Sequence, residues 1–380
     1  MRKSLTSVSY RKFTTSCGVR RQTNLLASIL NFVQAKEKGQ SMVVIAILMV
    51  VQILYFAWAG PVLAQESFYK GKTVRLIVGT EPGGGFDTYS RAIARHMSRY
   101  IPGAPTIVVE NMPGAAHLIS ANYLYKIAKP DGLTIGNFTG TLLLGQVLGR
   151  TGVEFDARKF EYIGAPSRDI STCALAKRSG IGSLQQWIGA KNVIKIGGIG
   201  PGDFTYENPK ILEFALGLPV QVVAGYKGTA PIRLAVEGGE VDGVCMDWNS
   251  IKATWRKALD SGDVKVIVQI TPRIHPEMSD VPLASDFAKT AEGKKLIQVG
   301  IYDRGTIFRP YLLPPGVPRE RAQTLRVTFT ETLKDAEFLS DAKKSNLVID
   351  AVPANELEKI AMEMFKLDPA MTSKLNEILK

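Results

Sequence analysis

From residue 66 onward, short apolar runs alternate with stretches of helical periodicity. "TVRLIVG" (73–79), "TIVVE" (106–110) and "GLTIGNF" (132–138) read as strands, each followed by a helix, near 88–100, 116–128 and 141–149. After "KFEYIGAPS" the rhythm restarts. Strands are expected at 172–177, 193–197, 220–225, 241–246 and 264–270, with helices between them at about 183–190, 204–216, 229–237 and 248–260. Two long amphipathic helices follow, "PRERAQTLRVTFTETLKD" (318–335) and "ANELEKIAMEMFKLD" (354–368). Pro318 suits the opening of the first. Such alternation predicts an α/β architecture of doubly wound, mostly parallel sheets flanked by crossover helices. Two units of similar size with a helical tail predict two lobes and a cleft. Residues 66–167 and 296–380 fall in lobe 1 and 168–295 in lobe 2, with crossings near 165–170 and 290–305. No short-period repeat or low-complexity tract is visible.

A different pattern precedes residue 66. "MVVIAILMVVQILYFAWA" (42–59) is an apolar run interrupted only by Gln52, preceded by basic residues and followed by "GPVLA-QES". This is the layout of a secretory signal peptide within a leader of residues 1–64, cleaved near Ala64; an uncleaved membrane anchor is the alternative. The forty residues before the run are long for a signal, so the true translation start stays open. Of the net charge of +12, residues 1–40 supply +7, from eight Lys/Arg against Glu37. Residues 41–64 carry none, which leaves +5 for the rest. The basic balance therefore belongs to the leader and gives no sign of a nucleic-acid surface. Cys173 and Cys245 lie in apolar strand-like runs with no CxxC or Cys/His cluster, which disfavours a metal site. Buried free thiols are the favoured reading, with a single disulfide open in an oxidising compartment.

In an open α/β sheet, ligands bind beyond the carboxyl ends of the strands. The loops there are "TEPGGGFD", "NMPGAAH" and "TGT" (139–141) in the first half. In the second half they are "GIGPGDFTYE" (198–207), "YKGTAP" (226–231) and "MDWN" (246–249). They are rich in Gly, Thr, Ser and Asn and poor in Lys and Arg. Glycine lets backbone approach a ligand closely, and amides at a helix N-terminus hold a carboxylate or phosphate without a cationic side chain. A small anion is thus the favoured occupant. Asp87 either caps the helix that follows or accepts hydrogen bonds from a ligand or ordered water. A dinucleotide is disfavoured: the turn reads GGGFDT (83–88) instead of G-x-G-x-x-G, although Glu110 ends the next strand, and no phosphate loop of the G-x-x-x-x-G-K-[ST] type exists. Enzyme chemistry has no motif either. His96, His117 and His275 are scattered and G-x-S-x-G is absent. His96 reads as a helix-face residue, and His117 as a helix-start residue, with contact to a ligand as the alternative. Trp187 and Trp255 read as packing residues, whereas Trp248 is open to a cleft or a core role.

"VRLIVGTEPGGGFDTYSRAIARHM", "IVVENMPGAAHLISANYLYKIAKPDGLTIG", "VVAGYKGTAPIRLAVEGGEVDG" and "LLPPGVPRERAQTLRVTFTETLKDAEF" together resemble the Bug-type receptors of tripartite tricarboxylate transporters. The resemblance spans roughly residues 68–350, in order and spacing. It implies a two-lobed periplasmic binding protein, type II-like, exported to the periplasm. Such a protein has no cofactor and no catalysis of its own. It would act as a monomer that closes over a small organic acid and delivers it to a membrane permease. A receptor feeding a signalling partner, or a nucleotide-dependent α/β enzyme, are the alternatives. Carried onto this chain, the carboxylate-holding loops are Gly83, Gly84, Gly85 and Asp87, then Pro113, Gly114 and Ala115. Thr139 and Thr141 match a hydroxyl-bearing loop. Gly200, Gly202 and Asp203 match the first loop of the second lobe; Tyr226, Lys227 and Gly228 match a "PYKG" segment, and Asp247 an acidic strand end. The chain departs from the family pattern at Glu81, where proline is usual, and at Asp203 and Glu207, which replace a Ser/Thr-His element. These acids are expected either to repel a second carboxylate or to pair with a cationic group on the ligand.

Overall fold

The computed structural model describes Met49, Val51, Gln52 and residues 68–379. The cleavage point near Ala64 and most of the leader lie outside the described residues. Contacts group the chain into Met1–Gln65 and Glu66–Lys380, and the account below concerns the second unit. Among the described residues no helix is long and apolar enough to cross a membrane.

The chain first lays down β1 (Thr73–Val78), α1 (Gly85–Met97), β2 (Thr106–Asn111), α2 (Leu118–Lys126), β3 (Thr134–Asn137), α3 (Thr141–Val147) and β4 (Glu161–Ala165). It then builds β5 (Ser171–Ala176), α4 (Leu184–Ile188), β6 (Ile194–Gly198), α5 (Phe204–Leu216), β7 (Val220–Ala224), α6 (Thr229–Gly238), β8 (Gly243–Asp247), α7 (Trp248–Thr254), α8 (Arg256–Asp260), β9 (Val264–Ile270) and α9 (Ala291–Gly300). Finally come β10 (Tyr311–Leu313), α10 (Arg319–Lys334), α11 (Ala336–Lys344), β11 (Val352–Pro353), α12 (Ala354–Met364) and α13 (Pro369–Ile378).

Two mixed sheets flanked by helices result, one in each lobe. The first has the order β11-β4-β10-β3-β1-β2 and the second β7-β6-β8-β5-β9. β1 pairs parallel with β2 and β3, and β6 with β7 and β8, as the crossover helices require. The antiparallel members are β10 and β11 in the first sheet and β5 in the second. β10 inserts between β3 and β4 after an excursion through the whole second sheet. β1, inside the first sheet, and β9, at the edge of the second, are both largely buried and rich in Val and Ile, which is why they were legible.

The first core joins Val74, Leu76 and Ile135 to Ile93 of α1 and to Leu325 and Phe329 of α10. The second joins Leu175 and Ile196 to Ile211, Leu212 and Leu216 of α5 and to Leu296 and Ile297 of α9. Leu375 of α13 and Leu379 just beyond it also belong to this second cluster, so the last helix reaches the second sheet's helices. The expectation of free thiols is overturned. Cys173 and Cys245 stand opposite each other on antiparallel β5 and β8 and are joined as a disulfide. They are 72 residues apart in sequence, so only the strand register brings them together.

Candidate functional site

The glycine loop after β1 leads into α1, whose N-cap is Gly84. The first amides of a helix have no partner within it. One amide at this turn is used internally: Gly83 N donates to Asp87 Oδ2 at 3.0 Å. Asp87 also accepts from Arg91 and, at 3.0 Å, from Asn111 Nδ2. Burial alone would push this carboxyl up, but the bonds from Arg91, Gly83 and Asn111 outweigh it and hold it below the usual carboxylate range. Asp87 thus folds back on its own loop, close to the helix-start role weighed above.

The same glycines lie against the other lobe. A Cβ on Gly84 would come within 2.6 Å of Thr229 Oγ1, at the start of α6. On Gly85 it would overlap Ser250 of α7, whose Cβ lies 2.8 Å away. The Glu81 amide donates to Lys227 O at 2.9 Å, across the two lobes. Gly228 therefore sits directly over the first loop. Lys227 itself is exposed, and the Tyr226 hydroxyl donates to Glu240 at 2.6 Å.

The second loop, Pro113–His117, has an unusual backbone. After Gly114 (φ 136°), Ala115, Ala116 and His117 all lie in the left-handed region, with φ of 45°, 51° and 71°. A non-glycine residue there costs about 1–3 kcal/mol, so its surroundings must hold it. His117 is fully buried, its ring 5.0 Å from that of Phe86. It fits only because Gly79 has no Cβ, which would lie 2.5 Å from His117 Nδ1. His117 Nε2 is 3.3 Å from Asp203 Oδ2 of the other lobe. Asp203 is the N-cap of α5, accepting from the Thr205 amide at 2.8 Å. The third loop makes a further bridge: Thr139 Oγ1 and Thr141 Oγ1 are 2.8 Å apart, and Thr141 Oγ1 donates to Gly202 O at 2.6 Å. Gly200 lies against the second loop, its added Cβ 3.8 Å from Ala116 Cβ.

Sequence reasoning missed two buried charge clusters beside these loops. Glu207, read as a ligand-facing acid, is fully buried and paired with both Arg150 and Arg304, and accepts from Gly202 N at 3.1 Å. In the second cluster Arg309, just before β10, is wholly buried with Asp247 Oδ1 at 3.0 Å and Asp169 Oδ2 at 3.5 Å. Its guanidinium lies 4.3 Å over the Tyr89 ring, and Asn249 bonds Asp169. Asp247 also caps α7 through Ser250 N at 2.7 Å. The one available signal was a lone arginine in the apolar run "TIFRPYLL". Trp248 is a core residue, its indole N–H donating to Glu277 at 2.6 Å. His96, Asp335 and Glu337 converge on the first lobe, but both carboxylates are already on Arg99.

Burial pushes the Asp169 carboxyl up to about 7; Arg309 opposes this and Asp247 reinforces it. The native state therefore keeps a proton that the unfolded chain releases near pH 4. Asp169 contributes full stability below about pH 4, and that contribution is lost as pH rises through about 7. We expect Asp169→Asn, which mimics the protonated acid, to flatten the fall in urea midpoint between pH 5 and 7.5. An unchanged slope would show that Asp169 is not the titrating group.

No family model matches the chain. A "UPF0065 protein in gbd 5'region" of Cupriavidus necator is 23% identical over 327 residues, covering 83% of this chain and 91% of that protein. Among solved structures, the periplasmic binding protein BugD superposes with a TM-score of 0.67 at 21% identity, over 82% of this chain and 98% of BugD. MatC from Rhodopseudomonas palustris, solved with bound malate, gives a TM-score of 0.64 at 19% identity, over 81% of this chain and 99% of MatC.

Proposed function

From a fold shared with the Bug-type periplasmic binding proteins, which are binding proteins and not enzymes, we propose that this chain is an exported receptor for a small organic acid. The acid is held as a carboxylate between the lobes and passed to a membrane permease of the tripartite tricarboxylate type. The observation that carries this reading is the convergence of six strand-end loops from two sheets on one region, linked by Glu81–Lys227, Thr141–Gly202 and His117–Asp203. The ligand-holding groups in this reading are the backbone amides of Gly84, Gly85, Gly114, Ala115 and Gly200 and the hydroxyls of Thr139 and Thr141. Gly83 and Gly202, whose amides bond Asp87 and Glu207, and Pro113, which has no N–H, shape the turns. Asp87, Asp203 and Asp247 shape these loops. A disulfide between β5 and β8 suits an oxidising compartment, as export to the periplasm requires. That the solved relative MatC carries malate supports a carboxylate as the ligand class.

The test is a thermal-shift screen of the protein against organic acids, with inorganic phosphate and neutral amides as controls. A free acid a hundredfold above its Kd should stabilise by about 2.7 kcal/mol. No shift with any acid would end the reading. Gly85→Ala supplies the structural counterpart. Its Cβ would press on Ser250 of the opposite lobe, and overpacking of this kind costs about 1–3 kcal/mol. Because only the closed form suffers, ligand affinity should fall about five- to hundredfold while the fold survives. Unaltered affinity in a calorimetric titration would show that closure does not bring these surfaces together.

A further inference from the structure

The chain crosses between the lobes a third time at its C-terminus. α12 is rooted in lobe 1, where Leu357 and Ala361 are fully buried with Phe138, Leu143 and Tyr162. Two ion pairs fix its outer side: Glu358 with Arg326 of α10 at 2.8 Å, and Glu356 with Arg168 at 2.7 Å. Four residues (365–368) then lead into α13. Asp368 caps that helix, accepting from the Ala370 amide at 3.2 Å, and Pro369 opens it. α13 lies on lobe 2. Leu375 is buried among Ile211, Leu212, Leu296 and Ile297, and Lys374 Nζ is 4.5 Å from the centre of the Phe214 ring. Asn376 and Leu379 also wall a cavity of about 280 Å³ bounded by Ala115 and Leu142 of lobe 1 and by Pro201 and Gly202 of lobe 2. The end of the helix therefore stands at the seam.

The tail restrains the lobes because its connection is short. Four residues drawn out fully reach about 14 Å, so α13 cannot follow lobe 2 through a wide opening while α12 keeps its place. α13 is also weakly held. Within its ten residues only Leu375 is buried, joined by Leu379 just beyond, and a helix of this length does not persist alone in water. Docking and helix formation are therefore one event with a small net free energy, the mark of a segment that opens locally. Resting on the receptor reading, whose lobes open and close, we propose that α13 is a strap. Seated on lobe 2, it holds the lobes together; released and unfolded, it lets them part. Whatever closes the lobes then also strengthens its seating, because the coupling is reciprocal.

Hydrogen exchange of the unaltered protein reads the release of the strap, and small-angle X-ray scattering reads the separation of the lobes. The amides of 372–379 should exchange together, about tenfold or more faster than the buried amides of α5 and α12. Leu375→Ser/Leu379→Ser should lose what protection α13 retains and enlarge the radius of gyration, while urea unfolding stays cooperative. Ser373→Ala, at an exposed position of the same helix, should leave the radius as it is. Exchange of α13 no faster than that of α5 would mean that it leaves lobe 2 only on global unfolding, and would overturn the strap. So would an unchanged radius of gyration in the folded double variant. Both measurements need no ligand, so either failure leaves the receptor reading standing, and that reading falls separately if no acid shifts the thermal midpoint.

Discussion

Arg309→Met is expected to cost about 3–5 kcal/mol of stability, read as a lowered urea midpoint. Arg309 is wholly buried between Asp169 and Asp247, and two loops and a strand depend on that arrangement. Asp169 follows β4 at the first crossing between lobes, Arg309 precedes β10 at the second, and Asp247 ends β8. Burial works against the arginine's charge, but the two aspartates outweigh it and raise its pKa. Removing the cation leaves the Asp247 carboxylate out of water with the Asp169 carboxyl group, not a guanidinium, beside it. Adding Asp169→Asn and Asp247→Asn to Arg309→Met should recover much of the loss, because asparagine still caps a helix and no bare charge remains. A loss under about 1 kcal/mol for Arg309→Met alone would show that the guanidinium does not hold this junction.

Loss of the Cys173–Cys245 bond should be comparably large. It ties positions 72 apart in sequence, and the loop-entropy relation for that separation gives about 4 kcal/mol. The Cys173→Ala/Cys245→Ala variant should therefore unfold at markedly lower urea. A reductant should bring the unaltered protein towards the variant's midpoint and leave the variant unmoved. Equal midpoints with and without reductant would mean that the thiols are free in the folded protein.

Sequence alone exposed what depends on neighbours along the chain. β9 and α5 were read at their observed limits because "VKVIVQI" is dense in β-branched residues and Asp203 and Gly217 punctuate the helix. β10 escaped because three residues, "YLL", leave no periodicity, and its partners β3 and β4 lie about 150 to 175 residues earlier. The helix expected over 248–260 breaks at Trp255, whose indole bonds Glu237. The glycine loops were visible because glycine spacing is local. The charge clusters were not: Arg150, Glu207 and Arg304 are separated by 57 and 97 residues and become partners only in the folded chain. Glu207 was accordingly misjudged as a group offered to the ligand.

The left-handed run at Ala115, Ala116 and His117 has a consequence for anyone borrowing this turn. Its angles are held from outside, by the Phe86 ring packed on His117 and by the bare α-carbon of Gly79. Grafted into a foreign scaffold without those two, "PGAAH" would relax to commonplace backbone geometry, so the turn is not a portable module.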